Sequence, residues 1–367
     1  MTKENITYWN YLELEQLLAL QNGIDDENVS EDELHFIIVH QVFELWFKLM
    51  IRELRLVRDA MAKQFVKEET IPFVVHHLKR VNTILQLSAK HFDLMETLTP
   101  QDFLEFRAKL GTASGFQSFQ LREIEFILGL DQEQRNAQGH GDPAAYIMNT
   151  AESTGFGAEI RDRINKARNE KSLRDSIHNW LYRTPIHGSR QTDADDKEVV
   201  AGFVDDYIAK MHQVNELQID KLVADGGNEE QLRQQFAKTE EQAASFLHAK
   251  DIKDNRERVA RIRAAILFIE SYRKLPLLAW PRLLIDTIVE MEEHMTDFRF
   301  QHARMVERII GRRVGTGGSA GVNYLDETTQ YRIFPELWAV RTLLLPRDYL
   351  PELQNKELYH FATEFQE

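Results

Sequence analysis

Apolar residues recur at three- and four-residue intervals over most of this chain. The clearest run is Ser30-Glu-Asp-Glu-Leu-His-Phe-Ile-Ile-Val-His-Gln-Val-Phe-Glu-Leu-Trp-Phe-Lys-Leu-Met-Ile-Arg-Glu-Leu54. Ser30 and Glu33 form the Ser-x-x-Glu pattern of a capping box, in which each side chain satisfies a backbone N–H near the other. Glu33, Gln41, Glu44, Lys48 and Arg52 then share one narrow polar sector, which leaves a wide apolar face. That spacing predicts a long helix carrying an ionisable ring, His40, among Ile, Val, Phe and Trp. A second helix is predicted from about Phe73 to Leu98, with Pro100 marking its end. Others follow near 101–110, 116–129, 157–182, 197–225, 228–249 and 253–274. Pro281 suits the first turn of a further long helix, which runs to about Ile310 and stops at Gly311.

No alternating β-run and no internal repeat interrupts this pattern. The expected fold is all-α: a helical bundle forming one domain over 1–367, with a polar helical insertion at about 183–263. Within that insertion, Gly226 to Arg263 is rich in Glu, Gln, Lys and Arg and poor in apolar residues. It is read as a solvated helical hairpin, with a partner-binding coiled coil as the alternative. Loops are expected at 130–144 and 183–196, where Gly, Pro, Asp and Ser cluster.

Charge and composition narrow the function. The 367 residues carry 45 basic and 59 acidic side chains, a formal charge of −14, which disfavours nucleic acid and anionic membranes as partners. Cysteine is absent, so disulfides, thiolate nucleophiles, zinc–thiolate sites and iron–sulfur clusters are excluded together. The N-terminal residues lack the order of a signal peptide. The apolar run Phe36 to Ile51 is short for a bilayer and interrupted by polar residues. A soluble, cytoplasmic protein is expected.

Three features offer chemistry. Gly315-Thr-Gly-Gly-Ser-Ala320 matches a dinucleotide fingerprint on paper, but a helix rather than a strand feeds it, and no P-loop lysine follows. What survives is a loop able to close over a ligand, with Thr316 and Ser319 as hydroxyl donors. Di-iron bundles need Glu-x-x-His on two helices; Asp32-Glu-Leu-His35 comes nearest and has no twin. Haem asks less of a protein, one axial imidazole and an apolar slot, and His40 and His302 both sit on suitable helices. Phe103 and Arg107 lie four apart on one helical face, an aromatic ring beside a group suited to gripping a carboxylate.

Five blocks in order then resemble the tryptophan 2,3-dioxygenase family. They are Tyr8-x-x-Tyr11-Leu12; Phe36-Ile-Ile-x-His40-Gln-x-x-Glu-Leu-Trp46; Phe103-x-x-Phe-Arg107 with Ser114-Gly-Phe-Gln-Ser118; Arg299-x-x-His302-x-x-Met-Val306; and Gly315-Thr-Gly-Gly-Ser319. Trp180-Leu-x-Arg-Thr-Pro185 is also similar, and the likeness runs from Thr7 to Leu337. The resemblance implies an intertwined helical homotetramer, a dimer of dimers. It implies haem b, ferrous when active, with O₂ as co-substrate, and opening of the indole 2,3-bond of L-tryptophan to give N-formyl-L-kynurenine. His302 would be the iron's proximal ligand and His40 the distal histidine facing the indole N–H. Arg107 would pair with the substrate carboxylate, and Thr316 with its ammonium and carboxylate end. Phe36 and Phe103 would sandwich the indole, Ser114 would line the haem edge, and Tyr8 and Tyr11 would reach in from a neighbouring subunit.

Trp9, Phe298 and Ala320 stand where the family usually has glycine, tryptophan and serine. Trp9 motivates an alternative expectation, the same haem pocket acting on a modified tryptophan or another indole in a biosynthetic pathway.

Overall fold

In the computed structural model the described residues are 6–22, 29–130, 143–151, 155–313 and 321–359. They are helical, and their one β feature is an isolated antiparallel bridge between Ile186 and Ser189. The all-α expectation holds. The chain divides into two compact units, described in turn: unit 1 is Met1–Arg55, Arg80–Glu170 and Met291–Tyr331; unit 2 is Leu56–Lys79, Lys171–Glu290 and Arg332–Glu367.

Unit 1 opens with two short helices, α1 (Tyr8–Tyr11) and α2 (Leu14–Ala19), which the apolar spacing did not reveal. Helix α3 (Glu31–Met61) follows. The Ser30 hydroxyl accepts from the Glu33 N–H at 3.3 Å, but the Glu33 carboxylate takes Lys109 at 2.5 Å, so only half of the expected capping box forms. At 31 residues, α3 has the length and hydropathy of a membrane-crossing helix, which the shorter run Phe36 to Ile51 did not suggest. In unit 1 its Val39, Phe43, Phe47 and Met50 are buried.

Helix α4 (Thr70–Met95) stops short of Pro100, which instead begins α5 (Pro100–Arg107) under the Thr99 cap. A 3₁₀ turn at Ala108–Leu110 and another at Gly115–Gln117 lead into α6 (Phe119–Leu128). Helix α7 is Pro143–Ala151.

The single helix expected over 157–182 is two, α8 (Gly157–Asn169) and α9 (Leu173–Tyr182). Ser172 and Asp175 form a complete capping box between them, and those local hydrogen bonds outcompete helix continuation.

Unit 2 holds α9, then α10 (Asp196–Ala224) and α11 (Glu229–Leu247), which pair as a hairpin turning at Gly226, at φ +97°, one helix earlier than the hairpin expected over Gly226 to Arg263. Arg233 grips Glu216 with two bonds of 2.8 and 2.9 Å, and Asn215 donates to Glu240 at 2.7 Å. The solvated character ends in α12 (Arg256–Ser271), where Arg261 and Arg263 are each only 4% exposed. Arg261 donates to Asp196 at 2.7 Å and to the Tyr182 and Thr184 carbonyls at 2.8 and 3.1 Å. Arg263 takes both Asp251 oxygens, at 2.7 and 2.9 Å. Pairing with carboxylates and carbonyls is what lets such charges sit inside.

Helix α13 (Ala279–Ile310) contributes to both units; Pro281 falls in its first turn, and Gly311 ends it at φ +61°. Two short helices close the fold, α14 (Val322–Thr328) in unit 1 and α15 (Pro335–Thr342) in unit 2.

Candidate active site

Unit 1 encloses a cavity of about 760 Å³ whose lining is mostly apolar, a size typical of small-molecule sites. Six of the residues singled out in the sequence meet on its wall: Phe36, His40, Phe103, Arg107, Ser114 and His302. They arrive from four separate segments. Thr316 lies outside the described residues. Tyr8 and Tyr11 do not line the cavity of their own chain; they are 71% and 75% exposed on α1.

His40 sits on the apolar face of α3, one turn after Phe36. Its Nδ1 lies 2.7 Å from the Phe36 carbonyl oxygen. A carbonyl only accepts, so Nδ1 carries the proton and Nε2 is left as a bare acceptor. Burial pushes the His40 pKa down, against the opposing pull of the Phe36 carbonyl and Glu44; His35 adds to the depression. The ring is therefore neutral at pH 7. Glu44 is fixed in turn, because Gln120 donates to its carboxylate and to its backbone carbonyl, both at 2.8 Å.

Phe36 and Phe103 have ring centroids 5.9 Å apart with a 41° tilt, and Phe106 lies 5.5 Å from Phe36. At that spacing the rings touch one another. Phe36 and Phe103 form one aromatic wall of the cavity, and the buried Phe106 packs against both without lining it. Arg107 ends α5 beside that wall, half-buried, and the following turn is held down by the Lys109–Glu33 pair. Ser114 caps the next 3₁₀ turn, its hydroxyl accepting from the Phe116 N–H at 3.2 Å.

His302 approaches from α13. Its ring stacks on Phe92 at 5.3 Å and within 5° of parallel, and Phe298 flanks it at 6.2 Å. It makes no hydrogen bond to a described residue. Its pKa is pushed down to about 4, chiefly by burial and further by the neighbouring His40 and the Arg122 guanidinium. A neutral imidazole with an uncommitted lone pair, opening on an apolar cavity, is the donor a haem iron requires. A second neutral imidazole shares the cavity, and Arg122 and Arg299 supply cationic groups in its wall. The residues present fit a haem.

Some residues in and behind the wall were not legible as such in the sequence. Phe92, buried against the His302 ring, is one. Gln120, Arg122, Glu123 and Glu125 are all buried on α6, and the signal was there: Gln-Leu-Arg-Glu-Ile-Glu puts charge on every side of a helix, which a surface helix does not do. Glu123 is fully buried and answered by Arg55 at 2.6 Å and Arg163 at 2.8 Å.

A family model described as tryptophan 2,3-dioxygenase matches residues 1–344. The chain belongs to the tryptophan 2,3-dioxygenase family. A tryptophan 2,3-dioxygenase of Sorangium cellulosum is 44% identical over 372 residues, covering 98% of this chain and 89% of the relative. Tryptophan 2,3-dioxygenase 2 of Ralstonia nicotianae is 42% identical over 370 residues, covering 98% of each. The likeness extends to the tryptophan 2,3-dioxygenase of Mus musculus, 29% identical over 373 residues, covering 98% of this chain and 87% of the relative. As a member of this haem-dependent family the protein is an oxidoreductase, a dioxygenase of tryptophan catabolism.

Proposed function

We propose that this chain opens the indole 2,3-bond of L-tryptophan with both atoms of O₂, giving N-formyl-L-kynurenine, at a haem b held by His302. The observation that carries this reading is the convergence of two neutral imidazoles, an aromatic wall and Arg107 on one cavity of about 760 Å³. Haem, when bound in its ferrous form, supplies the binding and activation of O₂. The protein's own side chains supply everything else.

Phe36 and Phe103 offer the indole an apolar aromatic surface. Arg107 takes the amino acid's carboxylate through two parallel charged hydrogen bonds, which fixes the direction in which the ring enters. His40, held as its Nδ1–H tautomer by the Phe36 carbonyl, presents Nε2 to accept from the indole N–H. A ligand lacking the carboxylate forgoes these charged hydrogen bonds, so the site discriminates by charge as well as shape. Thr316 completes the polar end in this reading, and closure of its glycine-rich segment excludes water.

The same reading makes the enzyme a cytoplasmic homotetramer in which Tyr8 and Tyr11 enter a neighbour's cavity. Exposure of Ile6, Tyr8, Trp9 and Tyr11, at 62–75%, supports an N-terminal segment that another copy covers. Its test is the solution mass of the haem-loaded protein, expected to be that of four chains; a monomer contradicts it.

Mass spectrometry of the product from reduced protein, tryptophan and O₂ tests the reaction. The expected product is tryptophan plus two oxygen atoms, both from O₂. No product, or a product with one added oxygen, overturns the proposal.

A further inference from the structure

We infer that Arg122 and Glu125, together with Arg299, set the reduction potential of the haem iron and bias it towards the ferrous state; this rests on His302 holding haem as proposed above. Arg122 and Glu125 lie one turn apart on α6, paired at 2.7 Å, with side chains 6% and 4% exposed. Arg299 lies on α13, one turn before His302, with its Nη2 3.6 Å from the other Glu125 oxygen. All three line the cavity that His302 lines. Two guanidinium groups thus share one carboxylate in the wall beside the proposed iron ligand.

Three observations make this cluster more than a buried ion pair. The Arg122 Nε is buried without a hydrogen-bond partner, and its guanidinium lies 5.8 Å from the Phe116 ring centre, so on that side it meets an aromatic ring. His302 has no carboxylate or carbonyl partner among the described residues, the usual device that makes a ligating imidazole electron-rich. Its flanks are Phe92 and Phe298. Ferric haem carries one more positive charge than ferrous haem. A fixed, poorly screened cation close by therefore raises the cost of oxidation. Ferrous iron is the form that the proposed reaction needs.

The test is a spectroelectrochemical titration of haem-loaded protein, read as the midpoint potential. Arg122→Gln is expected to shift the midpoint down, Glu125→Gln to shift it up, and Arg122→Lys to leave it near the unaltered value. Opposite signs from the two neutralised partners are the signature, since damage to a structural ion pair moves both variants the same way. If Arg122→Gln fails to fold, Glu125→Gln and Arg122→Lys carry the test by themselves. An intact Soret band with no shift in Glu125→Gln, or a shift in the same direction for both neutral variants, overturns the inference. Absence of a Soret band from the unaltered protein overturns the haem reading instead, so the two failures are distinguishable.

Discussion

Both units bury charged and titratable side chains, but they use them in opposite ways. In unit 2, Arg261 is held by Asp196 and the Tyr182 and Thr184 carbonyls, Arg263 by Asp251 and the Phe246 carbonyl, and His187 accepts from the Gln354 N–H. Each such charge or ring is answered by its own surroundings, although the Arg263 Nε makes no hydrogen bond. In unit 1 two buried imidazoles face the cavity instead: His302 has no described hydrogen-bond partner, and His40 keeps Nε2 uncommitted. The difference teaches how to read a buried ionisable group. One that its neighbours satisfy is architecture, and one that its neighbours leave open, facing a cavity, is waiting for a ligand.

The largest effect separating the two regions is expected from Asp196→Ala in unit 2. It strands a guanidinium that is buried at 4% exposure, which costs about 3–5 kcal/mol of folding stability. Thermal or denaturant unfolding should show that loss, while haem content per folded chain stays the same. A variant of normal stability would mean that the carbonyls of Tyr182, Thr184 and Ser189 suffice to hold Arg261.

Arg107→Ala in unit 1 should do the reverse. It is expected to lower kcat/KM for tryptophan by about 2–3 kcal/mol, through KM, with the unfolding midpoint nearly unmoved. Steady-state kinetics would settle it; an unchanged KM makes Arg107 a structural residue.

The smallest effect concerns His187. Burial depresses its pKa, opposed in part by Asp206, and its Nδ1 must stay unprotonated to accept from the Gln354 N–H at 3.1 Å. The unfolded chain takes up a proton near the ordinary histidine value, and the folded chain does so only at lower pH. The stabilisation is therefore complete above about pH 6.5 and is lost as pH falls below it. Hydrogen exchange at Gln354 should show about 1 kcal/mol less protection at pH 5 than at pH 7.5. Equal protection at both values would assign that hydrogen bond no role.

The helices were legible in the sequence because their apolar spacing is regular over many turns: α4, α10 and α13 begin and end close to expectation, and α3 begins beside Ser30 but runs on past Leu54 to Met61. The break at Ser172 was not, since a local capping box overrode a pattern that ran through it. The short helices α1, α2, α14 and α15 span too few turns for periodicity to register. Within the site, His40 and Phe36 stood out as a polar ring and its neighbour on one apolar face. Phe92 and the Arg122–Glu125–Arg299 cluster did not, because their meaning depends on which helices meet, and spacing along one helix is silent about that. The polar stretch ending at Arg263 looked solvated for a similar reason: the acids that bury Arg261 and Arg263 are distant in sequence or lie in a turn.

The visible spectrum of the reduced protein, with His302→Ala measured beside it, bears most directly on the proximal role of His302. An intense Soret band in the unaltered chain, lost in His302→Ala, is the predicted result. A colourless unaltered preparation that takes up no hemin, or a variant that keeps the full spectrum, would contradict it.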